Sequence, residues 1–154
     1  MGIEIERKFL VVADDWKSLA KPVFMRQGYL SSQANRVVRV RIEDQAAMLT
    51  IKGKADGIAR GEWEYPIPLS DAQALLDALC EQPLIEKNRY RIAIDDLVWE
   101  VDEFFGDNAG LVVAEVELNS VDQMFVKPAW CGDEVSQDHR YANANLIKHP
   151  FKLW

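Results

Sequence analysis

Charge recurs at every second residue in seven separate stretches of this 154-residue chain. In an extended strand alternate side chains share a face, whereas a helix would scatter them around its circumference. The opening run sets the pattern, with Glu4, Glu6 and Lys8 on one face and Ile3, Ile5 and Phe9 on the other. Arg39 and Arg41 alternate with Val38, Val40 and Ile42, and Lys52 follows Thr50 between Leu49, Ile51 and Gly53. Glu62 and Glu64 flank Trp63, and Lys87, Arg89 and Arg91 share one parity. Glu100 and Asp102 alternate with Trp99 and Val101, and Glu115 and Glu117 with Ala114, Val116 and Leu118. A sheet with one wet face also alternates, but it usually mixes Ser, Thr, Gln and Lys there. Here the positions are mostly Glu, Asp, Arg and Lys, sorted by sign strand by strand. That sorting is expected where polar faces converge on a cavity for an anion and its metal. Paired carboxylates suit a hard divalent cation such as Mg²⁺ or Mn²⁺, and an adjacent lysine suits a phosphate held by the same cation.

The length fits one domain, residues 1–154, long enough to bury about 70% of its unfolded surface. A formal net charge of −7 argues against an open nucleic-acid surface. A basic cavity inside an acidic protein favours small, highly charged anions instead. Two cysteines, Cys80 and Cys131, fit a reducing compartment, with one disulfide left open. No apolar run approaches the roughly 18 residues of a membrane span, and a glutamate stands at position 4. A cytoplasmic protein is expected, with no membrane and no nucleic-acid partner, and with a homodimer left open.

Strands are expected at about 2–12, 24–32, 36–44, 46–53, 58–68, 84–95, 97–105 and 111–119. Turn signals separate them at Ser31-Ser32 with Asn35, Asp44-Gln45, Gly53 to Gly57, Asp95-Asp96 and Gly106 to Gly110. One helix is expected, with Ser70 as N-cap, Asp71 in its first turn, an apolar stripe of Ala72, Leu75, Leu76 and Leu79, and Pro83 as its stop. Short helical turns are expected near Asp14–Leu19 and Val121–Phe125, and a partly helical tail from Ser136 to Ile147. Eight strands with few helices predict a mainly β chain: an antiparallel barrel or strongly curved sheet, closure being what removes the edges. The alternating positions supply seven carboxylates (Glu4, Glu6, Glu62, Glu64, Asp102, Glu115, Glu117) and six cations (Lys8, Arg39, Arg41, Lys52, Lys87, Arg89). They nearly cancel, so cross-barrel ion pairs and water would offset the desolvation of a charged interior.

These residues resemble the CYTH superfamily, also called triphosphate tunnel metalloenzymes. Glu4-Ile-Glu6-Arg-Lys8 matches the family's Glu-x-Glu-x-Lys signature. The likeness runs on through Arg26-Gln-Gly-Tyr29, Arg39-Val-Arg41, Lys52, Arg60-Gly-Glu62-Trp-Glu64, Glu86-Lys87-Asn-Arg89, Glu100-Val-Asp102 and Glu115-Val-Glu117. The tail from Pro128 to Asn143 is similar to that of short bacterial members. The resemblance implies an eight-stranded antiparallel tunnel that binds a triphosphate and one or two divalent metals, Mg²⁺ or Mn²⁺. It implies Glu4, Glu6, Glu115 and Glu117 as metal ligands, and Lys8, Arg39, Arg41, Lys52, Lys87 and Arg89 as the phosphate grip. Glu62, Glu64 and Asp102 would orient those cations, serve a second metal or position water. Some members are proposed to use a tyrosine–lysine pair, which would be Tyr29 and Lys87 here, activating water or protonating the leaving oxygen. A tyrosine that merely packs in the barrel fits the sequence equally well.

His139 and His149 have no metal-ligand spacing, and no Ser, Cys or His nucleophile motif stands out, which favours direct hydrolysis over a covalent intermediate. Trp63, Trp99 and Trp130 are expected in an outer apolar layer, and Arg60, Arg91, Arg140 and Lys148 on the surface, with an extension of the basic lining at a tunnel mouth as the alternative. The leading expectation is hydrolysis of inorganic tripolyphosphate. Adenylyl cyclase activity on ATP, hydrolysis of thiamine or nucleoside triphosphates, and non-catalytic polyphosphate binding are the alternatives. Two Glu-x-Glu pairs speak against binding alone, which has no need of them.

Overall fold

A computed structural model describes residues 2–154. The eight expected strands form as β1 (Gly2–Val11), β2 (Val23–Gln33), β3 (Arg36–Glu43), β4 (Ala46–Gly53), β5 (Ala59–Pro66), β6 (Ile85–Ile94), β7 (Leu97–Phe104) and β8 (Val112–Glu117). All pairings are antiparallel, in the order β5-β4-β3-β2-β6-β7-β8-β1, and β1 closes the ring against β5. Two-residue turns at Asp44-Gln45 and Asp95-Asp96 join hairpins, with Asp44 and Asp95 at φ 56° and 54°. Aspartate tolerates that left-handed backbone better than most residues with a side chain.

A ninth strand, β9 (Cys131–Glu134), was not expected. One edge of β1 carries β8, while the other pairs Gly2–Ile5 with β5 and Phe9 and Val11 with β9. Thus β9 covers the stretch of β1 that β5 leaves bare. Four residues without polar alternation are too short to announce themselves by period.

The helix α1 spans Leu69–Ala78, and its N-cap is Pro68, with no side-chain cap, instead of Ser70. Proline at φ −58°, ψ 140° holds the last extended residue, so the helix starts immediately after it and Ser70 falls inside the first turn. Asp71 does sit in that turn. A 3-10 turn forms at Asp15–Ser18, as expected. Val121–Phe125 forms no helix; a turn there is tied by Gln123, whose amide N–H donates to the Ser120 carbonyl and whose Oε1 accepts from the Asn119 N–H. The tail is helical in part, with a 3-10 turn at His139–Tyr141 and the one-turn helix α2 (Asn143–Leu146).

Much of the apolar outer face of the strands is covered. Phe9, Trp99, Val101, Ala114 and Val116 pack with Trp16, Trp130 and Cys131. Val40 and Ala47 lie under Ala72, Leu76 and Cys80 at and beyond α1. A third cluster joins Tyr29, Ile85, Phe104 and Val113, of inward parity, to Tyr141 and Leu146, so the C-terminal segment fills one end of the barrel with apolar side chains. Both cysteines are free and buried. No helix of the described residues is long and apolar enough to cross a membrane.

Gly28 sits where β2 meets α1. A Cβ there would lie 2.6 Å from Leu84 Cδ2, 2.9 Å from Cys80 Cβ and 3.0 Å from Leu76 Cδ2. Gly28→Ala is expected to lower unfolding stability by about 1–3 kcal/mol through overpacking. Urea denaturation checks it, and an unchanged midpoint would mean that α1 yields freely.

Candidate active site

Strand parity turns the charged faces inward onto a cavity of about 410 Å³. Its lining includes every expected site residue except one: Glu4, Glu6, Lys8, Tyr29, Arg39, Arg41, Lys52, Glu62, Glu64, Lys87, Arg89, Glu115 and Glu117. Asp102 lies behind the wall, fully buried beneath Lys87 and Arg89. Arg60, Arg91 and His139 also line the cavity, so the two arginines take the lining place that was the alternative to a surface role. Arg60 donates to the Gly53 carbonyl from Nε at 3.0 Å and Nη2 at 2.7 Å, pinning the loop after β4. Arg91 pairs with Glu43 and, at 3.3 Å, with Glu100.

The charges segregate around the ring. Most lining carboxylates come from the neighbouring strands β8, β1 and β5, with Glu100 on the adjoining β7 and Glu43 at the end of β3, whereas the cations Arg39, Arg41, Lys87 and Arg89 come from β3 and β6, which flank β2. Lys52 and Lys8 stand among the carboxylates. Lys52 Nζ donates to both oxygens of Glu4 at 3.1 Å and lies 3.5 Å from Glu62; Lys8 Nζ lies 3.5 Å from Glu115 and donates to the Tyr141 carbonyl at 3.1 Å. On the opposite wall Arg89 grips Asp102 with two nitrogens, at 2.8 and 2.9 Å, and Lys87 Nζ donates to Asp102 at 2.8 Å.

Burial sets the protonation states. It pushes Glu6 well above the usual carboxylate range, with Glu115 and Glu4 adding repulsion. Glu62 is pushed up to about 7 by burial and the adjacent Glu4. Burial also acts against Glu4 and Glu115, yet Lys52 in one case and Lys8 and Arg89 in the other hold them below that range. Lys87 is pushed down to about 7, because burial and the nearby Arg89 and Arg41 outweigh the attraction of Asp102. Arg41 is pushed down to about 9 by burial first and then by Arg39 and Arg89. Cations that repel one another in this way are eased by an anion placed among them.

Arg39 carries the sharpest sign of this. Its Nη2 donates to Thr50 Oγ1 at 3.2 Å, but its buried Nε has no hydrogen-bond partner. A buried guanidinium N–H left unpaired is strongly unfavourable unless a ligand meets it. The carboxylate wall shows the converse. Glu6 stands opposite Glu117 and Glu100 opposite Glu115 across strand pairs, where like charges destabilise. Glu4 and Glu62, and likewise Glu6 and Glu115, lie within hydrogen-bonding reach of each other. Crowded hard oxygen donors of this kind fit a hard divalent cation. Among the described residues no three acidic, histidine or cysteine side chains are already drawn around one point as a metal site, since Glu4 and Glu115 are held by lysine and arginine.

Tyr29 and Lys87 do not form a direct pair. Lys87 Nζ donates to Asn143 Oδ1 at 2.9 Å, and the Tyr29 hydroxyl accepts from Gln27 Nε2 at 3.0 Å. Gln27 and Asn143 are the residues that the charge pattern misses. The inward parity of Gln27, shared with Tyr29, was the one available signal for it; Asn143 reaches the site only through the folding-back of the tail.

Residues 2–150 match the CYTH domain family. An inorganic triphosphatase of Acetivibrio thermocellus is 51% identical over 152 residues, covering 99% of this chain and 97% of that protein. An inorganic triphosphatase of Nitrosomonas europaea is 37% identical over 148 residues, covering 93% of this chain and 95% of that one. A crystal structure of an inorganic triphosphatase superposes with a TM-score of 0.67 at 34% identity, covering 96% of this chain and 95% of that one. A closed tunnel with opposed acidic and basic walls and a match of this extent lead to one conclusion: the chain belongs to the CYTH domain family.

Proposed function

We propose that this protein is a metal-dependent inorganic triphosphatase that hydrolyses tripolyphosphate to pyrophosphate and phosphate. The observation that carries the reading is the segregated cavity, with the unpaired Nε of Arg39 on its basic wall. The triphosphatase relatives that the chain matches over nearly all its length support it. Tripolyphosphate would lie between the walls, gripped by Arg39, Arg41, Lys87 and Arg89, with Lys8 and Lys52 leaving their glutamates to join them. Arginine offers a bidentate fork and lysine a point charge, which suits an irregular row of oxygens. Glu4, Glu6, Glu115 and Glu117 would hold Mg²⁺ or Mn²⁺, which would stabilise charge on the transferred group and the leaving oxygen. The cations stabilise the same charge from fixed positions in the wall. Water then attacks the terminal phosphorus in line. Asp102, sealed behind Lys87 and Arg89, orients those two cations.

Tyr29 and His139 are the only aromatic rings among the described lining residues, so the cavity offers little for stacking adenine or thiamine. Phosphate release with tripolyphosphate, ATP and thiamine triphosphate, each with Mg²⁺ or Mn²⁺ and with a chelator, tests the reading. Tripolyphosphate is expected to turn over much faster than either organic triphosphate, with loss of turnover in chelator and no cyclic AMP from ATP. Cyclic AMP as the main product would install a cyclase instead. Tight tripolyphosphate binding without phosphate release would leave a binding module.

A further inference from the structure

Two uncharged amides stand between the cations and the phenol of the basic wall. Gln27, on β2, is fully buried, and Asn143 opens α2 at the cavity edge. A guanidinium can only donate, so the Gln27 atom 2.8 Å from Arg41 Nε must be its oxygen, Oε1. Gln27 Nε2 therefore faces the other way and donates to the Tyr29 hydroxyl at 3.0 Å and to Asn143 Oδ1 at 3.3 Å. An ammonium also only donates, so the Asn143 atom 2.9 Å from Lys87 Nζ is likewise its oxygen. One cation at each end thus dictates the orientation of both amides.

The consequence falls on Tyr29. Its oxygen accepts from Gln27, its own O–H has no acceptor among the described residues, and it lines the cavity. We propose that Gln27 and Asn143 are positioning residues that hold Tyr29 as a hydrogen-bond donor to a phosphate oxygen of the substrate, with the Lys87 ammonium steadied beside it. This rests on the triphosphatase reading. No proton transfer is required, since a donated hydrogen bond to an oxygen gaining charge is itself stabilising. Asn143 also makes the C-terminal segment part of the site. The same segment presents the Tyr141 carbonyl to Lys8.

Gln27→Glu tests the direction of the relay. The variant keeps its size and its contact to Arg41, gives up the donation to Asn143 Oδ1, and offers the phenol a second acceptor, so Tyr29 would turn its proton away from the cavity. The kcat for tripolyphosphate is expected to fall about tenfold to a hundredfold, the range for losing one transition-state donor, with a smaller change in KM. Tyr29→Phe should fall similarly, and the double variant should be no slower than the slower single, because both remove one interaction. Undiminished kcat in Gln27→Glu, or losses that multiply in the double variant, would overturn the proposal. Asn143→Asp retains both accepting contacts and is expected to recover most of the activity that Asn143→Leu loses; equal losses in the two would also overturn it. A readout independent of turnover is the Tyr29 ¹³Cζ resonance, assigned by its disappearance in Tyr29→Phe. It should shift when Gln27→Glu converts the phenol from acceptor to donor, and an unmoved resonance in a folded variant sinks the relay. Should the unaltered protein release no phosphate, the triphosphatase reading falls, and this resonance still decides the relay. If Gln27→Glu does not fold, the Asn143→Leu and Tyr29→Phe cycle on kcat decides it, by the same criterion.

Discussion

Glu6→Gln is expected to abolish metal-dependent turnover by about a hundredfold or more, consistent with the several kcal/mol that a bound metal supplies, while leaving the metal-free fold at least as stable. Glu6 differs from its neighbours on the acidic wall. Glu4 has Lys52 and Glu115 has Lys8 and Arg89, but among the described residues no cation lies within ion-pair distance of Glu6. Burial and the charges of Glu115 and Glu4 push its carboxyl well above the ordinary value of 4.5, and burial and Glu4 push Glu62 up to about 7. A carboxyl whose folded pKa is raised holds its proton more tightly folded than unfolded. Its contribution to stability therefore falls as pH rises from the unfolded value toward the folded one. The metal-free protein should lose stability as pH rises above about 4.5 on account of these groups, the Glu62 part being lost by about 7, and Mg²⁺ or Mn²⁺ should restore more of it at the upper end. In Glu6→Gln that slope should flatten and the restoration shrink. Thermal unfolding at both ends of the window, with and without metal, checks the first part, and phosphate release at limiting metal checks the second. Full turnover at limiting metal would remove Glu6 from the metal site.

How much of this was legible in the sequence depends on the kind of residue. The barrel was, because a period of two over seven segments leaves the backbone one regular option, and because sorting by sign says which faces converge. Glu6, Arg39 and Lys87 could be assigned to the cavity on parity alone, and they line it. Uncharged residues carry no such label. Gln27 lies in mid-strand opposite Arg41 but carries no charge of its own, and Asn143 meets it from 116 positions away in the chain. Ser70 has the chemistry of a helix cap, but Pro68 stops the extended segment two residues earlier and takes the place. The expected contact between Tyr29 and Lys87 is replaced by a bridge through the two amides, because Tyr29 lies beyond the last residue of β2 that pairs with β6, which is Gln27. Period reports which face a side chain takes; it says nothing of what stands between two residues on that face.

Asp102→Asn is expected to destabilise the fold by about 3–5 kcal/mol, the scale for stranding buried charge, and by roughly 10 °C or more in Tm for a chain of this size. Asp102 is completely buried and accepts three hydrogen bonds, two from Arg89 and one from Lys87. Burial alone would raise its pKa, but Arg89 and Lys87 together hold it below the ordinary range. An amide of the same size would leave Lys87 without its carboxylate and Arg89 with only Glu100 and Glu115, and its NH₂ would point a donor at donors. Lys87, already pushed down to about 7, would relieve part of the strain by giving up its proton. A group with a depressed carboxyl pKa contributes stability that is full above its unfolded value and is lost as pH falls through the folded one. The unaltered protein should therefore lose this stabilisation in acid, below about pH 4, the ordinary range of an aspartate, and Asp102→Asn should lack that limb of the profile. Turnover should collapse as well, since Lys87 and Arg89 lose the group that aims them into the cavity. Urea unfolding from pH 3 to 8 separates the effects. A variant as stable as the unaltered protein at neutral pH, yet inactive, would mean that Asp102 serves the chemistry more directly than its place behind the wall suggests.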